Sequence, residues 1–168
     1  EQLLDYNRKQ ADGPVAREAV DLVELVENVV AAHSLPARAK LMHTELTLQA
    51  RRCLAEPALL ISVMDNLYSN AVHYGAESGN IRIHSYRHGD QVRIDVANSG
   101  EPIPAAEKNM IFEPFYQGSH QRKGAVKGSG LGLSIARDCV RQMQGELSLV
   151  DAPAGQVCFR ITLPSAPE

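Results

Sequence analysis

Tryptophan is absent, and three Phe and five Tyr are the only large aromatic rings in 168 residues. So few rings do not build a platform for stacked bases. Basic excess is missing too: 17 Lys and Arg stand against 20 Asp and Glu, a formal net charge of −3. Nucleic acid is therefore excluded as an expected partner. No apolar run approaches the length of a membrane span, and no signal-peptide pattern opens the chain. The expectation is a soluble segment of cytosolic character. Opening at Glu1 without Met, it is expected to be a piece of something longer. Cysteine is scarce and scattered, at 53, 139 and 158. An odd count without C-x-x-C spacing excludes a disulfide framework and a zinc knuckle, leaving free buried thiols. His84 and His88 stand four apart, but no Cys, Asp or Glu cluster completes a zinc set. No Ser-His-Asp or Cys-His arrangement stands out either.

What is present is an ordinary globular composition, 44% hydrophobic and 22% charged. Its length suits one domain with a sizeable core. Residues 1–11 read as the tail of a polar helix stopped by Asp12-Gly13-Pro14. Val15 to Val20 read as a strand. Asp21 caps a helix with an apolar stripe of Leu22, Leu25, Val26, Val29 and Val30, ending before Pro36. Leu41 to Gln49 alternate as a strand. Pro57 opens a helix running to about Tyr74, with Leu60, Met64, Leu67 and Ala71 facing the core. Ile81–Tyr86 and Val92–Ala97 form a hairpin around His88-Gly89-Asp90. Pro104 opens a short helix. Residues 117–130 are rich in Gly, Ser, Lys and Arg, as a mobile surface lid would be. Leu131–Gln144 reads as a helix, and Gly145–Val150 with Val157–Leu163 as a closing hairpin. The mixed order excludes a simple parallel doubly wound fold. It points to an α+β sandwich, a sheet with helices on one face.

Two segments carry chemistry. Gly128-Ser129-Gly130-Leu131-Gly132 runs into a helix. It lacks the Lys-Ser or Lys-Thr of a Walker A loop and the spacing of a dinucleotide fingerprint. Bare backbone N–H groups at a helix start still suit phosphate; a plain helix entry without ligand is the alternative. Asn66 and Asn70, four apart, place two neutral oxygen donors on one helix face. One amide oxygen is enough for Mg²⁺ in a phosphate site, although such a pair is usually a solvated strip. Asn98-Ser99-Gly100 follows the strand Val92–Ala97 as a loop, where an amide can read a purine edge or simply form an Asx turn. Gln121, Arg122, Lys123 and Lys127 make a cationic loop beside the glycine turn.

These segments, in this order, resemble the catalytic ATP-binding domain of bacterial two-component sensor histidine kinases. That domain belongs to the GHKL superfamily, with DNA gyrase and the heat-shock and mismatch-repair ATPases. Its N box corresponds to Asn66–Tyr74, its G1 box to Asn98–Ile103, its F box to Phe112–Tyr116 and its G2 box to Gly128–Leu133. The resemblance covers about residues 15–164, and four ordered boxes are far more specific than any one of them. It implies a two-layer α/β sandwich with a mixed sheet, helices on one face and a mobile ATP lid. Residues 1–14 would be the tail of a preceding dimerisation helix and linker, and 15–168 the catalytic domain.

The resemblance also implies roles. ATP and Mg²⁺ would be the cofactors. Asn70 would coordinate the metal and Asn66 would support it, the two forming the catalytic pair. Tyr74 would pack beside adenine. Asn98, with Gly100 and Ile103 in the same box, would receive the adenine amino group. Gly128, Ser129, Gly130, Leu131, Gly132 and Leu133 would shape the lid's end and the phosphate-binding helix start. Phe112 and Phe115 would anchor the lid, and His73, Arg122, Lys123 or Lys127 would reach phosphate.

Three positions depart from the family pattern. Asn98 replaces the usual Asp, Pro102 a glycine, and His73 a commoner Lys or Arg whose phosphate contact would not fade near neutral pH. A fourth difference separates branches: the superfamily's ATPases carry a Glu base where Asn66 stands, and an amide cannot act as one. Phosphoryl transfer is therefore expected over hydrolysis. The alternatives are a nucleotide-binding regulatory module without turnover and a GHKL-type ATPase. The family's acceptor is a His followed by Glu or Asp, and none of the six His here has that context. The acceptor is expected on the protein's own dimerisation domain, outside this chain, with a response regulator downstream. No direct membrane contact is expected of this domain: it would be cytoplasmic, within a protein of the bacterial inner membrane.

Overall fold

A computed structural model describes residues 15–114, 116 and 132–166. The expected helical tail over 1–11 and the expected lid over 117–130 lie outside the described residues. Strand β1 (Glu18–Asp21) leads into α1 (Leu22–Ala32). Asp21 starts that helix by accepting hydrogen bonds from the Val23 and Glu24 amides at 2.9 and 3.2 Å, which satisfies two of the donors a helix start leaves open. Leu22, Leu25, Val26 and Val29 are buried, and Val30 packs half-buried beside them.

The expected stop before Pro36 holds for α1, but a second helix, α2 (Ser34–Ala39), follows at once and contains that proline. Pro36 sits in its first turn, where the missing N–H has no intrahelical acceptor anyway. Strand β2 (His43–Leu48) is followed by β3 (Arg52–Ala55), which the sequence did not announce. Four residues are too few for an alternation signal, and the partner of β3 is β1, more than thirty positions away in register (Glu18 opposite Ala55).

Helix α3 (Pro57–Tyr74) begins as expected, with Pro57 in its first turn and Glu56 accepting from the Leu59 amide at 3.0 Å. Leu60, Met64, Leu67 and Ala71 are all buried, as their spacing required. Strands β4 (Asn80–His88) and β5 (Gln91–Ser99) form the hairpin, two 3₁₀ turns (Ala105–Glu107 and Met110–Phe112) follow, and α4 (Gly132–Gln142), β6 (Glu146–Val150) and β7 (Gln156–Pro164) close the fold.

The main sheet has the order β2-β4-β5-β7-β6, and β1 with β3 makes a separate two-stranded ribbon. Only the β2–β4 pair is parallel, and the crossover between them contains α3. Rows of mostly apolar residues cross the sheet in register, such as Ile83, Val96, Phe159 and Leu149, or the buried Ser85 with Ile94, Ile161 and Leu147. These rows face the helices, and α3 packs against both α1 and α4. The other face is polar: Arg160 grips Asp95 through two hydrogen bonds of 2.9 and 3.1 Å. This is the α+β sandwich expected, one sheet face covered and one left to water.

Candidate functional site

Helix α3 carries Asn66 and Asn70 one turn apart, on a half-buried strip beside the buried Leu67 and Ala71. The Asn66 Nδ2 donates to the Ser62 carbonyl at 2.9 Å. That fixes the amide and turns its oxygen towards the start of α4. A Cβ built on Gly132, the first residue of α4, would lie 3.3 Å from Asn66 Oδ1. The two motifs therefore converge, although about sixty residues separate them. Among the described residues the Asn70 side chain has no hydrogen-bond partner.

The far end of α3 meets the end of β5. Asn98 is 7% exposed, on the core-facing side of its strand between Ile81 and Val157. An amide in an apolar row must find partners. Its Nδ2 donates to the Ser99 carbonyl at 3.0 Å, and among the described residues Oδ1 has none. Gly100 lets the chain pass close: a Cβ there would lie 3.2 Å from both Asn98 Nδ2 and the Tyr74 carbonyl. Ser99 ties the connection after α3 to this strand end. Its carbonyl accepts from the Ala76 amide and its hydroxyl from the Asn80 amide, both at 2.8 Å. Tyr74 is half-buried, which pushes its phenol pKa up, while His73 is exposed with its ring edge-on to Tyr74 at 4.4 Å.

Other expected residues take less direct places. Ile103 is half-buried against the core and lines a shallow groove with Pro102, Leu149 and Val157. Leu133 is buried in the core, so α4 offers backbone rather than that side chain at its start. Phe112 is buried, meets Phe159 edge-to-face at 6.1 Å, and carries the Arg137 guanidinium 4.5 Å above its ring. Phe115, Arg122, Lys123, Lys127, Gly128, Ser129, Gly130 and Leu131 lie outside the described residues.

Lys40 was not signalled by the sequence. It follows α2, yet its Nζ donates to the carbonyls of Val72, His73 and Gly75 at 2.9, 2.9 and 2.7 Å. Burial lowers its pKa, and Glu77 partly offsets that. Beforehand it was one of two cations, with Arg38, in a short segment after Pro36, which is indistinguishable from a solvated pair.

The described site thus combines neutral amides with a helix start. Asp65, next to Asn66, bonds to His33 at the end of α1 at 2.7 Å. Among the described residues no group of three His, Cys, Asp or Glu could hold a metal ion. A cation here would take most of its oxygens from a ligand and from water, the usual habit of Mg²⁺. No helix of the described residues is long and apolar enough to cross a membrane.

Comparison with known proteins agrees with this geometry. The family model described as "Histidine kinase-, DNA gyrase B-, and HSP90-like ATPase" matches residues 55–167. Sensor histidine kinase GlrK of Escherichia coli (strain K12) is 72% identical over 166 residues, which is 99% of this chain and 35% of that protein. The chain therefore spans about a third of that relative's length. The stretch from 118 to 139 by itself resembles this same kinase, and the likeness extends along the chain. The nucleotide-free catalytic domain of histidine kinase ThkA superposes with a TM-score of 0.76 at 29% identity, over 92% of this chain and 100% of that one. ThkA in complex with the response regulator protein TrrA gives 0.74 at 27% identity, over 90% of this chain and 42% of that one.

Proposed function

Because the chain belongs to the histidine kinase-, DNA gyrase B- and HSP90-like ATPase family, we propose that it is the ATP-binding catalytic part of a sensor histidine kinase. It holds ATP with Mg²⁺ and presents the γ-phosphoryl group to a His on the protein's own dimerisation domain, for onward transfer to a response regulator. The observation that carries this reading is the approach of Asn66 Oδ1 to Gly132. There α3 and α4 meet beside a polar strip, and a side chain at the first position of α4 would crowd the Asn66 oxygen.

The residues fit the cofactor. Asn70 is the amide that would hold Mg²⁺, with Asn66 behind it. The N–H groups at the start of α4 would meet phosphate oxygens, helped by the helix dipole. Mg²⁺, when bound, supplies charge neutralisation on the phosphate oxygens. Asn98 Oδ1 would accept from the adenine amino group, and Tyr74 would cover the ring. Phe112, buried in the core, would anchor the lid. Phe115, Arg122, Lys123 and Lys127 would act from the lid, and Gly128, Ser129, Gly130 and Leu131 from its junction with α4. Asn66 is an amide and cannot act as a general base, so positioning would dominate over activation of water.

The test uses the purified chain. Calorimetry is expected to show Mg²⁺-dependent ATP binding, lost in Asn70→Ala by roughly tenfold to a hundredfold, as for a hydrogen-bonded group facing charge. The chain alone is expected not to label itself but to label an added acceptor domain. Acid-labile phosphate on the isolated chain, or unchanged affinity in a folded Asn70→Ala variant, contradicts this reading. Binding without transfer to the acceptor favours a regulatory nucleotide module.

A further inference from the structure

We infer that Lys40 is a positioning residue for the adenine end of the pocket, holding the last turn of α3 so that Tyr74 and Gly75 stay against Asn98 and Gly100. The inference rests on the nucleotide reading above and adds a residue from outside the four boxes.

A helix end leaves its final carbonyls without intrahelical donors, and a left-handed glycine commonly closes it. Gly75 stands in the right place but is extended, with φ −69° and ψ 159°. Its amide bonds to the Ala71 carbonyl at 2.9 Å, which leaves later carbonyls to be satisfied otherwise. Lys40 does this. An ammonium has three N–H donors, and three carbonyls, those of Val72, His73 and Gly75, lie at 2.9, 2.9 and 2.7 Å. A cation is also the charge that a helix C-terminus favours.

The lysine is fixed at its other end as well. Its backbone N–H reaches the Pro36 and Ala37 carbonyls of α2, and its own carbonyl accepts from Ser78 at 2.8 Å. The connection from Gly75 to Ser78 is therefore gripped from both sides by one residue.

This grip reaches the pocket through close packing. A Cβ on Gly75 would stand 3.4 Å from the Ser99 carbonyl, and one on Gly100 would stand 3.2 Å from the Tyr74 carbonyl and 3.6 Å from Gly75 Cα. The Ala76 amide, one residue past Gly75, donates to the Ser99 carbonyl at 2.8 Å, so the two segments are tied to each other. Release of the α3 end therefore moves the Tyr74 wall relative to Asn98. Asn66 and Asn70 lie one to two turns back along α3 and Gly132 begins α4, so the place where the phosphates would sit stays put.

The consequence is a division of effects. Lys40→Met keeps the stem and removes the donors. In the full chain, measured where circular dichroism shows it folded, ATP affinity is expected to fall about tenfold and the preference for ATP over GTP to shrink. With an added acceptor domain, KM for ATP rises while kcat at saturating ATP stays within about twofold. Lys40→Gln, which retains two donors, is expected to fall between, and Lys40→Arg to restore most of the affinity. Should the Met variant not fold, the Gln variant carries the comparison. Wild-type affinity and base preference in the folded variant overturn the role of Lys40, as does a loss confined to kcat. A wild-type chain that binds no ATP overturns the nucleotide reading and this inference together.

Discussion

Asn66 and Gly132 approach so closely that a methyl group on the glycine would lie 3.3 Å from the asparagine oxygen. Alanine is the better helix former by about 1 kcal/mol in a helix interior, and less at the first position. Gly132→Ala is therefore expected to leave the melting temperature unchanged or slightly raised. The methyl group would push the Asn66 oxygen by a few tenths of an ångström and crowd the helix start that would hold phosphate. Affinity for Mg–ATP is expected to fall about tenfold. Calorimetry beside thermal unfolding checks this, and a variant that binds as wild type would show that α4 does not approach the ligand here.

The buried amide at the end of β5 gives an opposed pair of effects. Asn98 donates to the Ser99 carbonyl, and an aspartate would present a carboxylate oxygen to that carbonyl instead. Asn98→Asp is expected to destabilise the fold by about 1–3 kcal/mol, the cost of an unsatisfied buried polar group. It is also expected to strengthen adenine recognition, since a charged acceptor makes the stronger hydrogen bond. Chemical denaturation and the ratio of ATP to GTP affinity read the two effects separately. Loss of ATP binding in a folded Asn98→Asp chain would remove Asn98 from the adenine end.

Which parts were legible beforehand follows from the range of the interaction. The long amphipathic helix α3 and the hairpin β4–β5 are written in local periodicity, as the burial of Leu60, Met64, Leu67 and Ala71 and the inward row through Val92, Ile94 and Val96 bear out. The convergence of Asn66 with Gly132 rested on an ordered set of motifs and not on physics local to either. Strand β3 and helix α2 were missed for different reasons. The first depends on a distant partner in β1. The second contains a proline that is tolerated only because it falls in the first turn. Lys40 was illegible because a capping cation and a solvated one have the same local sequence. Asn98 was expected just past the strand Val92–Ala97, but β5 runs on to Ser99 and buries it, because the pairing with β7 that extends the strand is not local.

Glu146 gives a pH-dependent effect on stability. Burial pushes its pKa up, but hydrogen bonds from Arg141 and Arg137 outweigh that and hold it below its ordinary value. The bonds are 3.1 and 3.3 Å from Arg141 and 3.2 Å from Arg137. A depressed carboxylate stabilises the fold above its unfolded pKa, and the contribution is lost as pH falls through the folded value. Because Glu146 is 47% exposed, solvent screening limits the effect to less than about 1 kcal/mol. Glu146→Gln is therefore expected to melt a few degrees lower at pH 7. The gap should close as pH drops below about 4, the ordinary glutamate range. A gap that persists in acid would assign the loss to packing rather than charge.

By the family resemblance Asn66 would stand where the superfamily's ATPases carry a glutamate base, and its geometry says what a base there would meet. The side chain reaches the start of α4, a helix end that favours negative charge, so a carboxylate is tolerated electrostatically. The substitution forfeits the hydrogen bond from Nδ2 to the Ser62 carbonyl, a loss of about 1 kcal/mol that a fold with the α3 core intact withstands. A well-placed general base contributes about 10²–10⁴-fold to a rate. One introduced without its supporting contacts should give less. Asn66→Glu is expected to raise multiple-turnover ATP hydrolysis by about tenfold over a slow wild-type rate, measured by phosphate release with ATP in excess. It should lower labelling of an added acceptor domain, because the nucleotide is now consumed by water. Hydrolysis by the wild-type chain as fast as by the variant would mean that another group already activates water, and the separation of transfer from hydrolysis at this position would fail.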